Sequence, residues 1–449
     1  MILPGAALAQ QGAYPAALPE DILPGLRPLL DTALKQSPSM LSANLTVATA
    51  DANAIVDRSG LYPSLSGYGQ YVNTQEAISS NTNSRSTTNG PVYGLNFTQP
   101  VFQWGALKHQ ADLGTLRVSI ARRQYAEAYR TLALSVRSQY LGLIQKKITL
   151  RNTRNQEKSA ADLLSLQEEK LRDGRISAGD IVEPRLGVQE AQIGVDKSLE
   201  DYEASRRMLA HLIGVESIDD SQVPDDIPKP TYAPETSHSF FEQTARDPLA
   251  NNVLLQTYSD TIKQDDLTYK IQKVRLYPKF NLFANYTQEN QTNVDTSAQR
   301  PVLTAITVTT IGVGANWTIF DGFATRGAIR SALASKRLAE RQLADYSATT
   351  VESLKSLEKQ IGFAARLMDL TETRRTLAVA AIDKVSNDVK NGVSPQTLLN
   401  AVTQNADVAT LTAVSARADF LSRWSEYLSL SGVDPVLEKL PPSYFHHVQ

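Results

Sequence analysis

The chain has no cysteine, which excludes disulfide bonds and thiolate metal sites and suits an oxidising compartment, where a free thiol is a liability. Aromatic residues are few, at 7%, and charged residues make up 20% of the 449 positions. The net charge of −2 gives no reason to expect nucleic acid or an anionic membrane surface as a partner. We therefore expect no nucleic-acid partner.

Long apolar runs are also missing. No segment reaches the roughly 18 uninterrupted apolar residues that a transmembrane helix needs, which excludes spanning helices but not spanning strands, whose signal is weaker. Near the start, Ala7-Leu8-Ala9 before Gln10 has the form of an export-signal cleavage site. We interpret residues 1–21 as an export-signal remnant and N-terminal tail; the alternative is a disordered N-terminus.

Signatures of catalysis are missing as well, since no P-loop, dinucleotide-binding or zinc pattern occurs. Asp180 and Glu183 lie three apart at a predicted helix start and would share a face, but the helix dipole favours acidic residues there in any case. We predict that the protein is not an enzyme and has no catalytic, metal-binding or cofactor-binding residues and no cofactor. Five histidines fall in no recognisable motif: His109, His211, His238, His446 and His447.

What the chain does contain is a long repeat. Four landmarks recur in the same order at offsets of 215 to 218 residues, for example Gly174 and Gly392 (392 − 174 = 218). A repeat of this kind defines the structural unit. The other three pairs are Leu61-Tyr62-Pro63 with Leu276-Tyr277-Pro278, Phe102-Gln103-Trp104-Gly105 with Phe320-Asp321-Gly322-Phe323, and Leu212-Ile213-Gly214-Val215 with Leu430-Ser431-Gly432-Val433.

The repeat predicts two structural copies joined by a linker. The first copy spans 22–215, with a hairpin at about 62–104 and a helical tip at about 172–180. The second copy spans 237–434, with a hairpin at about 277–321 and a tip at about 390–396. Residues 216–236, rich in Pro and Asp, are the predicted linker, and residues 435–449 are a predicted C-terminal tail.

Each copy has two segments in which apolar residues alternate with small or polar ones, which predicts a β-hairpin. The polar run 73–90 is expected to be an exposed loop, and Phe283 breaks the alternation of its strand. The pattern fits strands between lipid and an aqueous lumen, although soluble sheets alternate in the same way. The apolar or small series are Leu65, Gly67, Gly69, Tyr71; Tyr93, Leu95, Phe97; Phe280, Leu282, Ala284, Tyr286; and Ile311, Val313, Ala315, Trp317.

Two segments without proline, about 104–172 and 324–390, predict very long helices. At 1.5 Å per residue, each would be roughly 100 Å long. Gly174 and Gly392 follow a basic last turn, as C-terminal caps do, and shorter return helices are expected at about 179–212 and 395–430. Residues spaced as in a packed seam support helical pairing in the first long segment: Tyr125, Tyr129, Leu132, Val136 and Leu143. A helix is also expected before each hairpin, at about 26–59 and 240–274.

Four strands cannot close a membrane barrel, since the smallest have about eight, and open edges within lipid would leave backbone groups unsatisfied. The chain is therefore expected to associate with copies of itself. Two copies would give a barrel filled by its own side chains, and three would give twelve strands with a lumen, which the small inner-face residues favour. The predicted fold class is a mixed α/β membrane protein: two tandem repeats, each giving a β-hairpin and long coiled helices, in a trimeric 12-stranded β-barrel continued by an α-helical barrel.

The order of these elements, the Leu-Tyr-Pro strand openings, the Phe-x-x-Gly-like strand exits and the Gly-capped helical turns resemble the TolC family of outer-membrane efflux and secretion channels, over residues 22 to 434. The resemblance implies a homotrimer in the outer membrane of a Gram-negative bacterium, in contact with lipid and extending into the periplasm. It implies a channel-tunnel of a tripartite efflux pump or type I secretion system, working with a periplasmic adaptor (membrane fusion) protein and an inner-membrane transporter. Drug efflux and protein secretion both stay open.

The resemblance also suggests functional residues. The family's periplasmic gate lies just after each tip glycine, at Asp180 and Glu183 in the first copy and at Thr397 and Asn400 in the second. The adaptor would dock at the tips, around Gly174, Arg175, Gly392 and Val393. Two other classes are alternatives: a non-channel periplasmic or surface coiled-coil structural protein, and a soluble α+β enzyme.

Overall fold

A computed structural model describes residues 16–78, 84–234, 238, 240–242, 252–295, 301–441 and 444. The export-signal motif at residues 7–10 and the terminal pair His446 and His447 lie outside these ranges. The chain divides into two compact units. Unit 1 comprises residues 1–46, 122–257 and 343–449, and unit 2 comprises residues 47–121 and 258–342.

The described residues form helices that alternate with two β-hairpins, as the repeat predicts. The helices are α1 (Pro19–Ile22), α2 (Leu26–Gln36), α3 (Pro38–Ser59), α4 (Ala106–Arg172), α5 (Val182–Ile213), α6 (Val253–Lys273), α7 (Ala324–Lys390) and α8 (Gln396–Ser431). The strands are β1 (Ser64–Ile78), β2 (Ser84–Phe102), β3 (Lys279–Asp295) and β4 (Pro301–Asn316). Two short 3-10 helices span Asp220–Gln222 and Pro435–Lys439. Among the helices that the structure describes, none combines the length and apolar character that crossing a bilayer requires.

In unit 2 the strands form one antiparallel sheet in the order β1-β2-β3-β4. The predicted loop at 73–90 is mostly wrong, because β1 continues to Ile78 and β2 starts at Ser84, with Asn73 paired to Asn89 and Thr74 to Thr88. Backbone pairing does not require apolar side chains, and the β-branched threonines of this stretch are good strand formers. The polarity of the stretch concealed the strands.

The register brings the four alternating series onto one face of the sheet. Leu65 pairs with Phe97, Phe97 with Ala284, and Ala284 with Ile311. Directly paired residues of an antiparallel sheet point to the same side, so every apolar series shares the face of these four residues. The opposite face carries mostly glycine, asparagine, threonine and other uncharged polar residues, together with Tyr68 and Phe283. Unit 2 therefore has a two-faced sheet, as the alternation predicts.

Each hairpin leads into its long helix through two consecutive residues with left-handed backbone. These are Trp104 and Gly105 in the first copy (φ 54° and 82°) and Gly322 and Phe323 in the second (φ 63° and 67°). The glycine is the second residue of the pair in the first copy and the first residue in the second copy. In each copy the other residue is aromatic, Trp104 or Phe323, and its left-handed backbone is strained. Trp104 Nε1 donates to the Pro278 carbonyl at 2.8 Å.

In unit 1 the helices surround an aromatic and aliphatic core. The seam predicted along α4 is confirmed, since Tyr129, Leu132, Val136 and Leu143 are buried and Tyr125 packs against them. The core also contains Phe420, Trp424 and Tyr427 of α8.

Two segments predicted as a linker and a tail differ from that expectation. Ile218, Val223 and Ile227 of the linker are buried in the unit 1 core. After the second copy, Val436 and Leu437 are buried in the same core, and Asp434 caps the 3-10 helix that contains them. Prolines interrupt both segments and prevent a sustained helical or strand periodicity, so the sequence pattern did not reveal that these residues pack.

The helical stretch predicted at 26–59 is interrupted at Ser37, which has extended backbone (ψ 147°) between α2 and α3. Pro38 disfavours the helical conformation for the residue before it, and the Ser37 hydroxyl accepts the Met40 N–H at 3.2 Å, as an N-cap does. The corresponding helix of the second copy, α6, begins at Val253, and residues 243–251 of the predicted stretch lie outside the described ranges.

Candidate functional site

Both helical tips end in the same cap. Gly174 and Gly392 have left-handed backbone, with φ of 70° and 72°. In the first tip the Arg175 N–H bonds the Lys170 carbonyl at 2.8 Å and the Gly174 N–H bonds the Leu171 carbonyl at 3.0 Å. This pair of bonds is a Schellman motif, and the second tip repeats it with Val393 to Asp388 and Gly392 to Val389. The glycine repeat at an offset of 218 thus encodes one local structure twice.

The first tip carries a dense set of charges. Arg175 pairs with Asp173 beside Gly174, and Arg185 of α5 lies 3.6 Å from Glu168 of α4, so an ion pair joins the two helices below the turn. These side chains are largely solvent-exposed, which limits how much the pairs stabilise the tip. They contribute mainly to the electrostatic character of the tip surface.

Asp180 is held in a defined orientation by Ser177. Its Oδ2 accepts the Ser177 N–H at 2.8 Å and the Ser177 hydroxyl at 2.9 Å. These two bonds favour the ionised carboxylate and lower the pKa of Asp180 from its ordinary value of 3.8. Asp180 is therefore a fixed negative charge at neutral pH. Sequence inspection missed Ser177, although a serine three residues before an acidic residue is a known helix-start signal.

The structure corrects the expectation that Asp180 and Glu183 share a helix face. α5 begins at Val182, so Glu183 lies in its first turn, whereas Asp180 belongs to the preceding turn, where its N–H bonds the Ser177 carbonyl at 3.1 Å. The bonds to Ser177 hold Asp180 in this turn. Both residues are exposed, and they lie close in sequence on the same side of the tip glycine.

The second tip is shorter and has no carboxylate at the corresponding positions. Seven residues (175–181) separate Gly174 from α5, but only three (393–395) separate Gly392 from α8. Thr397 is exposed in the first turn of α8, and Asn400 is half-buried one turn later, where its Oδ1 accepts from Gln396 Nε2 at 3.3 Å. Val393 is 75% exposed at the apex. The two tips thus differ in charge and in the length of their turns.

Exposed apolar residues form stripes along α5 and α7. On α7 they recur at helical spacing at Phe363, Leu367, Leu370 and Leu377, and on α5 at Val182, Leu186 and Ile193. Stripes of this kind on a single chain indicate surfaces that pack against another molecule. Within the described residues, no group of three or more His, Asp or Glu side chains is arranged to hold a metal ion.

Residues 29–215 match the model of a family described as outer membrane efflux protein. Comparison of the sequence with curated proteins yields no match.

Several solved structures have a similar fold. The Campylobacter jejuni CmeC outer membrane channel superposes with a TM-score of 0.73 at 13% identity, covering 96% of this chain and 91% of that one. The outer membrane protein VceC from Vibrio cholerae gives 0.67 at 14%, covering 92% and 98%. The open state of the Neisseria gonorrhoeae MtrE outer membrane channel gives 0.64 at 14%, covering 95% and 94%. The resemblance to the TolC family and the predicted class of fold, long helices with antiparallel hairpins, are confirmed.

Proposed function

We propose that three copies of the chain form an outer-membrane channel that extends into the periplasm. The proposal is supported by the match of residues 29–215 to the outer membrane efflux protein family and by the similarity of the fold to outer-membrane channels. The channel serves a tripartite efflux pump or a type I secretion system. It receives substrates from an inner-membrane transporter through a periplasmic adaptor protein.

The observation that carries this proposal is the pair of open edges of the unit 2 sheet. In the described part of the chain, β1 and β4 each pair on one side only, over 15 and 16 residues. Long unprotected edges recruit further strands, and β4 of one copy joining β1 of the next would close a sheet without edges. Three copies supply twelve strands, enough for a barrel that encloses a lumen.

The apolar face of the sheet supports a lipid contact. Leu65, Tyr71, Ile311 and Val313 lie on that face and are all well exposed on a single chain. A band of this composition is stable against lipid and costly against water. The exposed stripes on α5 and α7 likewise support burial between copies, as expected for a helical barrel.

The experiment is to measure the oligomeric state and conductance of the purified protein in lipid bilayers. A trimer with stepwise single-channel currents supports the proposal. The proposal is contradicted if the protein is absent from the membrane fraction, stays in solution without detergent and gives no current. That result would favour the coiled-coil structural alternative.

Within this channel, we propose that Asp180, Glu183, Thr397 and Asn400 surround the periplasmic gate. A trimer would place Asp180 and Glu183 three times each around the opening, beside neutral residues from the second copy. Clustered carboxylates in a narrow opening concentrate cations, so a weak cation preference is expected. The cation preference is measured from reversal potentials. It should disappear in an Asp180→Asn/Glu183→Gln double variant and persist in the control Glu200→Gln, further along α5. Unchanged selectivity in the double variant would contradict the assignment.

We also propose that the adaptor docks at the two tips, around Gly174, Arg175, Gly392 and Val393. Because the chain has no cysteine, Ser177→Cys and Ser394→Cys each introduce a unique crosslinking site beside a tip. Crosslinks to a periplasmic adaptor are expected from both positions but not from Gln192→Cys on the body of α5. Their absence in a strain with active transport would contradict docking at the tips.

A further inference from the structure

The polar face of the unit 2 sheet carries two aromatic rings. Along 66–70, 94–98, 281–287 and 310–314 this face presents serine, glutamine, asparagine, threonine and glycine, together with Tyr68 and Phe283. No charged residue occurs in these four stretches. Within these stretches the two rings are the main apolar surface, and beyond them the same face carries Val308, which pairs with Thr287, and Glu289, two residues further along β3.

Each ring lies over a glycine of the next strand. Tyr68 pairs directly with Gly94, and a β-carbon on Gly94 would lie 2.9 Å from Tyr68 Cε1. Phe283 pairs directly with Gly312, and a β-carbon there would lie 2.9 Å from Phe283 Cζ. The missing side chains let both rings lie flat along the sheet instead of standing away from it.

The arrangement is duplicated by the repeat. Phe283 follows Tyr68 by 215 residues (283 − 68 = 215), and Gly312 follows Gly94 by 218 (312 − 94 = 218), the offsets of the other landmarks. Both rings lie five residues after the proline that opens their strand, Pro63 or Pro278. Across the sheet the two rings are offset along the strands, because Gly94, beside Tyr68, pairs with Thr287, four residues from Phe283 (287 − 283 = 4).

Tyr68 extends further than Phe283 does. Its hydroxyl lies 3.2 Å from the Thr287 hydroxyl, so the ring crosses β2 over Gly94 and reaches β3. This contact ties the ring to the surface of the sheet. It also leaves the upper face of the ring open, with the residue 40% exposed.

We propose that these rings form a binding site for planar aromatic cations inside the barrel, an inference that rests on the trimeric channel proposed above. With the apolar face toward lipid, Tyr68 and Phe283 point into the lumen, and three copies line it with six rings. Aromatic faces attract both planar π-systems and cations. A carboxylate, Glu289, lies two residues beyond Thr287 on the same face of β3, so the rings supply the π-contact and Glu289 is a separate source of attraction for a cation.

The competing explanation is that the rings only cover the glycines. A Tyr68→Leu/Phe283→Leu double variant separates the two roles, since leucine keeps an apolar cover over Gly94 and Gly312 but has no π-face. The matched control is Tyr71→Leu, which removes an aromatic ring from the opposite, lipid-facing side of the same strand. All three proteins are compared as reconstituted channels in planar bilayers.

The probes are ethidium, a planar aromatic cation, and tetraethylammonium, a cation without a ring. Ethidium is expected to reduce the wild-type current at concentrations where tetraethylammonium does not. The half-blocking concentration of ethidium should rise about tenfold in the double variant, which corresponds to about 1.4 kcal/mol of lost contact. It should stay unchanged in Tyr71→Leu.

The outcomes separate this inference from the proposed function. Channels that conduct normally but are blocked by ethidium equally in wild type and double variant would overturn the aromatic site and leave the channel intact. Equal block by ethidium and tetraethylammonium would also overturn it, because charge alone would then account for binding. Absence of any channel in the wild type would overturn both.

Discussion

Arg137 Nη2 donates to Asp434 Oδ1 at 3.0 Å, although the two residues are 297 positions apart. Both side chains are 1% exposed, and Arg137 Nε also donates to Glu20 Oε2 at 2.9 Å. Burial acts to lower the pKa of Arg137, but the two carboxylates outweigh it and raise that pKa above its ordinary value. One arginine of α4 therefore holds a residue near the beginning and a residue near the end of the chain within unit 1.

Replacing Arg137 should be strongly destabilising. Arg137→Met would leave Glu20 and Asp434 without a cation in a buried site, at a cost of about 3–5 kcal/mol. The free energy of unfolding is measured by denaturant titration in detergent, with circular dichroism as the signal. Arg207→Met is the control, because its pair with Glu200 is solvent-exposed and worth at most about 1 kcal/mol. If the two substitutions lower the free energy of unfolding equally, the buried ion pairs of Arg137 stabilise the protein no more than an exposed pair does.

The tip glycines should not tolerate a side chain, although there is room for one. A β-carbon on Gly174 or Gly392 would meet nothing within 4 Å, so alanine there is opposed only by the left-handed backbone, at about 1–2 kcal/mol. Gly187→Ala, inside α5 and equally open, should instead stabilise its helix by about 0.5–1 kcal/mol. Hydrogen exchange of the local amides should speed up in Gly392→Ala and slow down in Gly187→Ala. The same sign of change at both positions would contradict the explanation from backbone conformation.

The charge of Asp180 should persist in acid. A carboxyl group with a lowered pKa stabilises the folded state above its ordinary pKa, and this contribution is lost as the pH falls through the lowered value. For Asp180 that window lies below its ordinary value of 3.8. Ser177→Ala removes the hydroxyl donor and should raise the pKa of Asp180, measurable by NMR titration of its carboxyl carbon. Ser205→Ala on α5, whose hydroxyl bonds the Asp201 carbonyl, should leave that titration unchanged.

Gly312 and Gly314 should respond differently to alanine. The added carbon would lie 2.9 Å from the Phe283 ring at Gly312 but 3.5 Å from it at Gly314, an ordinary contact distance. Gly312→Ala should therefore cost about 1–3 kcal/mol through overpacking, seen as a lower midpoint of thermal unfolding. Gly314→Ala should be nearly neutral. Combining Gly312→Ala with Phe283→Ala should recover part of the lost stability. If it does not, the clash of the added β-carbon is not with the Phe283 ring.

Sequence patterns over a few neighbouring residues predicted which helices and strands form better than they predicted where the strands begin and end. The ends of α4 and α7 follow from one glycine each, because a left-handed cap depends only on its neighbours in sequence. The strands follow from alternation with a period of two. The polar ends of β1 and β2 were missed, because pairing to another strand, and not side-chain character, makes them strands.

The candidate site shows the same division. A family resemblance and a tip glycine were enough to select Asp180, Glu183, Thr397 and Asn400 as gate residues, and their role stays a prediction. The placement of Asp180 in a turn before α5 depends on two bonds from Ser177; the spacing of these two residues indicates a helix start but not that Asp180 lies outside the helix. The shorter second turn, by contrast, follows from the positions of Gly392 and Pro395.

The sequence by itself determined the repeat, the order of helices and hairpins and the caps that end them, because these depend on residues a few positions apart. Only the tertiary structure decided that the four apolar series share one face of the sheet, that Tyr68 and Phe283 cover Gly94 and Gly312, and that Arg137 binds Asp434. Those relationships join residues from about 26 to 297 positions apart. Their register and burial are set by packing, which has no periodic signature in the chain.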